Sequence, residues 1–262
     1  MLKRVKHKIQ RYLKEYAHKQ KFSGSEFHCS VCNSNLRSYV PLPDIYRQNA
    51  EKYGFQYFGQ NEHLNIKQYS CPFCGSSDRD RFYAAFFKRF ELTAETDKRL
   101  LHIAPAWKLN NLFLNNHFKV VTTDLMMPDV DYQLNIENMD AFTDNSFDYF
   151  ICSHVLEHVD NPDVALAELY RILKPGGKGI IMAPVNPNIQ TTIEDSTKIS
   201  KAERIKYFGQ EDHLRLFATG DFIERIIKAR FNLQMLGKDD FGSESFHKLG
   251  LRDSSILYIG NK

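Results

Sequence analysis

The chain has 262 residues, of which 42% are hydrophobic and 26% are charged, which is enough to form one large domain and a smaller one. It contains no apolar run of membrane-spanning length and no apolar core of a signal peptide, so we expect a cytoplasmic protein without a transmembrane segment. The net charge of +3 hides an asymmetry, since residues 1–21 carry eight Lys or Arg against one Glu. The acidic remainder disfavours a surface built for long nucleic acids.

Residues 1–22 place apolar side chains on one helical stripe and basic side chains around it. This pattern predicts a basic amphipathic helix. The helix would dock on the rest of the chain or on a partner. The alternative is contact with RNA or peripheral contact with an anionic membrane.

Two C-x-x-C pairs follow, separated by thirty-eight residues. Four thiolates at this spacing are typical of a closed tetrahedral zinc site, which leaves no position for a catalytic water. We therefore predict a structural zinc ion in a small zinc-ribbon-like domain over residues 23–97. The predicted ligands are Cys29, Cys32, Cys71 and Cys74. Within this domain, Ser77 with Asp80 three residues later predicts the start of a helix with an aromatic face.

Residues 98–262 alternate short apolar runs with amphipathic stretches, which predicts a doubly wound α/β domain. The runs at residues 99–103, 119–123, 131–136, 147–152 and 179–183 predict buried parallel strands. Asn161 and Pro162 predict the start of the helix between the last two of them, and Pro175 to Gly177 predict its end. Residues 231–236 and 255–259 predict the final strands.

The stretch DNSFDYFICSHVLEHVDNPDVALAELYRILKPGG (residues 144–177) resembles class I S-adenosylmethionine-dependent methyltransferases of the type 11 group, which show DxSFD, HVLEH and ELxRxLKPGG in this order. The resemblance extends over residues 98–262. It implies a Rossmann-like sheet that is mostly parallel with an antiparallel last strand. Because such sheets bind ligands at the carboxyl ends of their strands, the residues there become candidates for the cofactor site.

Cofactor contacts are implied after each of the first four strands of this domain. They are Ala104 and Pro105, Asp124 and Leu125, Asn135 and Ile136, and Ser153 and His154. Asp124 suits both ribose hydroxyls. The first loop has no glycine, and because alanine does not easily adopt positive φ, we expect its geometry to differ from that of relatives. His154 and His158 can share one face, but a metal site there would need a third ligand.

The segment YFGQEDHLRLF (residues 207–217) resembles an FGQxDHxR motif found in a subgroup of these enzymes, where substrate meets cofactor. We expect His213 to act as general base with Asp212 orienting it, and Gln210 and Arg215 to bind the acceptor. The preceding residues 185–198 read as a lid or substrate loop. Residues 57–64 repeat six identities of this segment, and the sequence alone supplies no reason for the repeat.

These features predict an enzyme that methylates an unidentified acceptor, either a small molecule or a saccharide. One alternative is an RNA methyltransferase that holds its substrate with the zinc ribbon. Another is a binding module that has lost the cofactor through its glycine-free loop. A nicotinamide dehydrogenase is disfavoured, because no G-x-G-x-x-G follows the first strand of the α/β domain.

Overall fold

The computed structural model describes residues 16–92, 97–197 and 200–262. Most of the helix predicted over residues 1–22 lies outside the described residues, and residues 16–22 are helical (α1). The later helices are α2 (Ile45–Tyr53), α3 (Asp78–Phe86), α4 (Trp107–Leu114), α5 (Pro162–Ile172), α6 (Lys201–Phe208), α7 (Thr219–Lys228), α8 (Lys238–Phe241) and α9 (Ser243–Lys248). None of the helices in the described part of the chain combines the length and apolarity that a bilayer span requires.

The strands are β1 (Ser23–His28), β2 (Asn35–Leu36), β3 (Arg99–Ile103), β4 (Lys119–Asp124), β5 (Tyr132–Gln133), β6 (Phe147–Ser153), β7 (Leu173–Met182), β8 (Val185–Asn186), β9 (Ile193–Glu194), β10 (Arg215–Ala218), β11 (Asn232–Leu236) and β12 (Leu257–Asn261). Seven of them form one sheet in the order β11-β12-β7-β6-β3-β4-β5. β12 runs antiparallel to both of its neighbours, and the other pairs are parallel. The expected mostly parallel sheet with an antiparallel last strand is therefore confirmed.

The helix between β6 and β7 begins where the sequence predicts but ends earlier. Oδ1 of Asn161 accepts the amides of Asp163 and Val164, and Pro162 occupies the first helical turn. The predicted end at Pro175 is wrong, because Leu173 already has extended backbone (ψ 136°) and α5 stops at Ile172. The Pro-Gly-Gly segment instead lies in the first half of β7.

β5 is shorter than the strand predicted over residues 131–136. The amide of Leu134 donates to the carbonyl of Asp124, and this is the last hydrogen bond of the pairing between β4 and β5. Oδ1 of Asn135 then accepts the amide of Glu137, 3.0 Å away. An asparagine that bonds the backbone two residues ahead makes a turn, so the extended pattern ends there.

α3 starts with the capping box expected at Ser77 and Asp80. It continues into a π-helical turn, Phe87–Glu91. Its aromatic side chains lie in the main hydrophobic core together with residues of the seven-stranded sheet. α3 therefore connects the N-terminal region (residues 23–77) to the sheet domain (residues 97–197 and 200–262).

Arg81, in the same helix, is fully buried. Its guanidinium donates to the carbonyls of Gln68, Tyr69 and Ser76 in the N-terminal region and to that of Leu249 in the sheet domain. It also lies 3.7 Å from the ring centre of Tyr39. One cation thus holds the two parts of the chain against each other.

Candidate functional site

The four predicted zinc ligands lie together. Sγ of Cys29 is 3.7 Å from Sγ of Cys74, and Sγ of Cys32 is 3.8 Å from Sγ of Cys71. A tetrahedral site with Zn–S bonds of about 2.3 Å places its sulfur atoms ~3.8 Å apart, so the thiols have the spacing that zinc requires.

Both cysteine pairs are held by the same backbone pattern. The amide of Cys29 donates to the carbonyl of Ser34 while its own carbonyl accepts the amide of Asn33, and Cys71 repeats this with Ser76 and Gly75. The fifth residue of each turn has left-handed backbone, with φ of 60° at Asn33 and 77° at Gly75. These two matching turns aim their thiols at one point, which fits a metal centre.

The loop after β3 corrects one expectation. Ala104 has φ of +49°, so alanine does adopt the left-handed conformation that a glycine would take without cost. Its amide donates to the carbonyl of Thr123 on β4. The loop therefore keeps its turn without glycine, at a backbone cost of about 1–2 kcal/mol. Pro105 and Ala106 follow, and α4 begins at Trp107 with no side-chain cap on its first amides.

The other cofactor candidates stand near the strand ends, as expected from the fold. Oδ1 of Asp124 accepts the amides of Met126 and Met127 at 2.7 and 2.8 Å, so one carboxylate oxygen caps the turn that Leu125 begins. Ile136 is buried, and Asn135 caps its own turn. Ser153 ends β6 and shares a hydrogen bond of 2.7 Å with the hydroxyl of Tyr83.

A cavity of about 300 Å³ lies beside this strand end, between the N-terminal region and the sheet domain. Its volume is at the lower end of the range for small-molecule sites. His154, the residue after Ser153, is on its wall, together with Glu157, His158, Gln210, Asp212 and His213. The two loops that the sequence marked, after β6 and after α6, therefore meet at one cavity.

The two copies of the repeated motif lie at the same cavity. Residues from both copies, 57–64 and 207–214, line the cavity. α2 ends shortly before the first copy, α6 ends at Phe208 within the second, and the two helices pack against each other. Gly59 and Gly209 both have left-handed backbone. The copies form two facing walls, so His63 of the first and His213 of the second enter the same site.

The centre of the site is a cluster of histidines around Glu157. Nδ1 of His154 is 3.2 Å, Nε2 of His158 is 3.8 Å and Nε2 of His213 is 4.0 Å from Oε1 of Glu157. Nε2 of His63 lies 3.0 Å from Nε2 of His154, so one of these imidazoles donates to the other. Burial raises the pKa of Glu157 and lowers the pKa values of His63, His154 and His213. His154 also has strained backbone, with φ of +56°, as residues at functional sites often do.

Two residues of the FGQxDHxR segment make contacts that differ from those predicted. Asp212 does not orient His213: its carbonyl is 3.2 Å and its Oδ2 3.5 Å from Nδ1 of His158, while Nδ1 of His213 is 3.1 Å from the carbonyl of Phe208. Arg215 does not reach the cavity. It is buried, and its guanidinium donates to the carbonyls of Leu156, Val159 and Asp160 and pairs with Glu194. Its bonds hold the loop after β6 in place.

Three residues of the site were missed by sequence reasoning: His63, Arg79 and Glu157. Arg79 lines the cavity, and its Nε has no hydrogen-bond partner among the described residues. No carboxylate of the described residues lies within ion-pair distance of its guanidinium. The repeat in residues 57–64 was a signal for His63, and the HVLEH match contained Glu157. Arg79 carried no signal, because nothing in the chain shows that α3 begins at a cavity.

Comparison with known proteins agrees with the fold. Residues 111–181 match a family described as a methyltransferase domain. The chain is 37% identical over 62 residues to a ubiquinone/menaquinone biosynthesis C-methyltransferase of Hydrogenovibrio crunogenus, with 24% of each chain covered. It is 32% identical over 125 residues to a demethylmenaquinone methyltransferase of Lactobacillus johnsonii, with 46% of this chain and 50% of that protein covered. The chain thus spans between a quarter and a half of the length of these relatives.

Among solved structures, a SAM dependent methyltransferase from Archaeoglobus fulgidus is similar with a TM-score of 0.42 and 14% identity, over 62% of this chain and 73% of that one. The family match over residues 111–181 contains the HVLEH and LKPGG motifs, and the seven-stranded sheet agrees with the Rossmann-like sheet that the resemblance implies.

Proposed function

We propose that this protein transfers a methyl group from S-adenosylmethionine to a small anionic acceptor bound in the cavity. The supporting observation is the position of the cavity, whose wall begins at His154, directly after the end of β6. In sheets of this kind the cofactor lies outside the carboxyl ends of the strands. An acceptor in the cavity would therefore lie next to the cofactor.

The residues at the strand ends fit S-adenosylmethionine. Ala104 keeps the close turn after β3, and the uncapped first amides of α4 are free to bind the methionine carboxylate. Asp124 uses Oδ1 for its turn and has Oδ2 for the ribose hydroxyls. When bound, the cofactor supplies an electrophilic methyl group on a sulfonium.

Arg79 is the basis for expecting an anionic acceptor. It is a cation on the cavity wall without an ion-pair partner among the described residues, and a carboxylate or phosphate would supply one. A guanidinium binds either group through two parallel hydrogen bonds, which fixes orientation as well as position. Since well-oriented reactants can gain ~7–11 kcal/mol from alignment, this contact would matter for turnover as well as binding.

His213 is proposed to act on the acceptor and not on the cofactor. A carbonyl can only accept a hydrogen bond, so Nδ1 of His213 carries the proton that points at Phe208. Nε2 therefore presents its lone pair on the cavity side, near Glu157. This atom can accept a proton or bind a cation.

The proposal is tested by titrating the purified chain with S-adenosylmethionine in a calorimeter, then assaying methyl transfer to a panel of small carboxylates and phosphates. Asp124→Ala should weaken cofactor binding by roughly 1.5–3 kcal/mol, the range for losing a hydrogen bond to a charged group. His213→Ala should reduce turnover by about 10²-fold and leave cofactor affinity nearly unchanged.

Arg79→Met should raise the KM for the acceptor, whereas Arg47→Met, at an exposed ion pair that is not part of the cavity lining, should not. A chain that binds no S-adenosylmethionine would refute the proposal and favour the non-catalytic binding module. Loss of cofactor binding in His213→Ala would mean that residues 207–214 belong to the cofactor pocket.

We also propose that the four cysteines hold a structural zinc ion. The thiol spacing supports it, and all four positions of the tetrahedron would be filled by protein. The ion would stabilise the N-terminal region, which forms one side of the cavity.

A further inference from the structure

We infer that Glu157, His158 and His213 bind a second metal ion, a divalent transition metal such as zinc, with an open coordination position that faces the cavity. The carboxylate and the two imidazole nitrogens lie within 4.8 Å of one another. Zinc bonds to nitrogen and oxygen are about 2.0–2.2 Å, which places ligand atoms roughly 3.4 Å apart. Inward shifts of about half an ångström would therefore bring all three onto one ion.

Glu157 is the strongest sign of a cation. Its side chain is 0% exposed, and neither carboxylate oxygen accepts a hydrogen bond from any described residue. An unsatisfied carboxylate inside a protein is costly, and such groups are normally paired or bound to a metal. A divalent ion at this point would satisfy both the charge and the lone pairs.

The two histidines are oriented as metal ligands usually are. Nδ1 of His158 donates to the carbonyl of Asp212, and Nδ1 of His213 donates to the carbonyl of Phe208. Each bond fixes the tautomer in which Nε2 is unprotonated, and both Nε2 atoms point towards Glu157. A hydrogen bond from the second ring nitrogen to a carbonyl is the typical support of a metal-bound histidine.

His154 and His63 complete the surroundings of the site. Nδ1 of His154 is 3.2 Å from Oε1 of Glu157, and its Nε2 meets His63. His154 would keep Oε1 of Glu157 in place, and His63 would hold the ring of His154, so the ion would have three protein ligands. All three ligands also line the cavity. Three ligands and one open position are typical of zinc sites that act on a bound molecule.

If the proposed methyl transfer is correct, this ion would hold an acceptor oxygen in the same cavity as Arg79. A metal ion stabilises the ionised form of a bound hydroxyl, which is the better nucleophile. The acceptor class would then be narrowed to small anions that also carry a hydroxyl or phenol group. The metal site itself does not depend on that step.

The test is metal content of the full chain, measured by plasma mass spectrometry after saturation with zinc chloride and gel filtration. Wild type should hold two zinc ions per chain, one at the cysteines and one at Glu157. Glu157→Gln and His158→Gln should each hold one. The control His247→Gln changes an exposed histidine that pairs with Glu26 and should keep two.

Cobalt reconstitution checks that the variants are folded, since the thiolate-to-cobalt band reports the cysteine site alone and should not change. His158 is one-third exposed, so we expect His158→Gln to fold even if Glu157→Gln does not. A wild type that holds a single zinc, lost with Cys71→Ser, would overturn the inference. So would a folded His158→Gln that retains two. Neither result depends on methyl transfer.

Discussion

Replacing Arg81 with methionine should lower the free energy of unfolding by about 3–5 kcal/mol, the range for breaking a buried charged network. Methionine approximates the length of the side chain but removes all of its donors. The substitution thus tests how strongly the N-terminal region is fastened to the sheet domain.

The magnitude follows from the contacts. The guanidinium makes four hydrogen bonds of 2.6–3.1 Å to carbonyls. The carbonyl of Ser76 also accepts the amide of Cys71, so three carbonyls would be left unpaired. Each unpaired buried carbonyl costs about 1–3 kcal/mol, or roughly 3–9 kcal/mol for the three. The variant regains several kcal/mol of this loss, because its folding does not require a charged guanidinium to be transferred from water into the interior. The thioether of methionine also replaces part of the stacking on Tyr39. The net loss is a large share of the ~5–15 kcal/mol that stabilises a typical domain.

The assay is urea unfolding followed by circular dichroism at fixed free zinc, so that metal release does not differ between samples. Arg47→Met is the control, because Arg47 makes only exposed ion pairs with Asp44 and Glu51, and such pairs contribute less than about 1 kcal/mol. A loss at Arg81 no larger than that of the control would refute the reasoning. It would show that the carbonyls of Gln68, Tyr69 and Leu249 find water or other partners once the guanidinium is gone.

His102 is 2% exposed and burial lowers its pKa to about 4. The unfolded chain takes up this proton near pH 6.5, so stability is complete above that pH and falls as the pH drops towards 4. Between pH 7 and pH 5 the free energy of unfolding should fall by about 2 kcal/mol less in His102→Gln than in the wild type. An equal fall in the two proteins would contradict the burial argument. Ala104→Gly should raise the free energy of unfolding by up to about 1 kcal/mol, because it relieves left-handed backbone. As a control, Ala85→Gly inside α3 should lower the free energy of unfolding by a similar amount. If calorimetry shows that both glycine variants shift the melting temperature in the same direction, the backbone at Ala104 is not strained. Cys71→Ser should lower the zinc content by one ion per chain together with the melting temperature, whereas a stable preparation without zinc would end the zinc-ribbon prediction.

The main sheet was predictable because its strands carry strong local patterns. Residues 99–103 and 147–152 are short apolar runs bounded by polar residues, and the structure has β3 and β6 there. Local chemistry also explains the errors. The third predicted strand ends early because the Asn135 side chain bonds the backbone, and α5 ends early because Leu173 pairs with Phe147 of β6.

The cavity was only half predictable. Residues 207–214 were recognisable as a candidate site, but the roles of Asp212 and Arg215 depended on which groups their neighbours present. Arg215 looked like an anion clamp, yet three carbonyls of the loop after β6 surround it. Such carbonyls cannot be placed from a sequence, because their direction is set by tertiary structure.

The repeat shows the same limit from another side. Its six identities are visible in the sequence, but the sequence does not show that α2 and α6 pack together and bring the two copies to one cavity. Ala104 is the opposite case, in which a general rule about alanine was correct on average and wrong at this position. The hydrogen bond to Thr123 and the neighbouring strands hold its backbone in the strained region.

The cavity wall from the N-terminal region has a consequence for the order of folding. Glu62 accepts a hydrogen bond from the hydroxyl of Tyr258 on β12, and the two residues are 196 positions apart in sequence. Contacts this distant form slowly, because a long loop must close before they contribute any stability. During refolding the sheet should therefore acquire its circular dichroism signal before the two motif copies face each other. A chain caught at that stage would have a complete seven-stranded sheet beside an open cavity, and residues 57–64 would be exposed to water and to proteases.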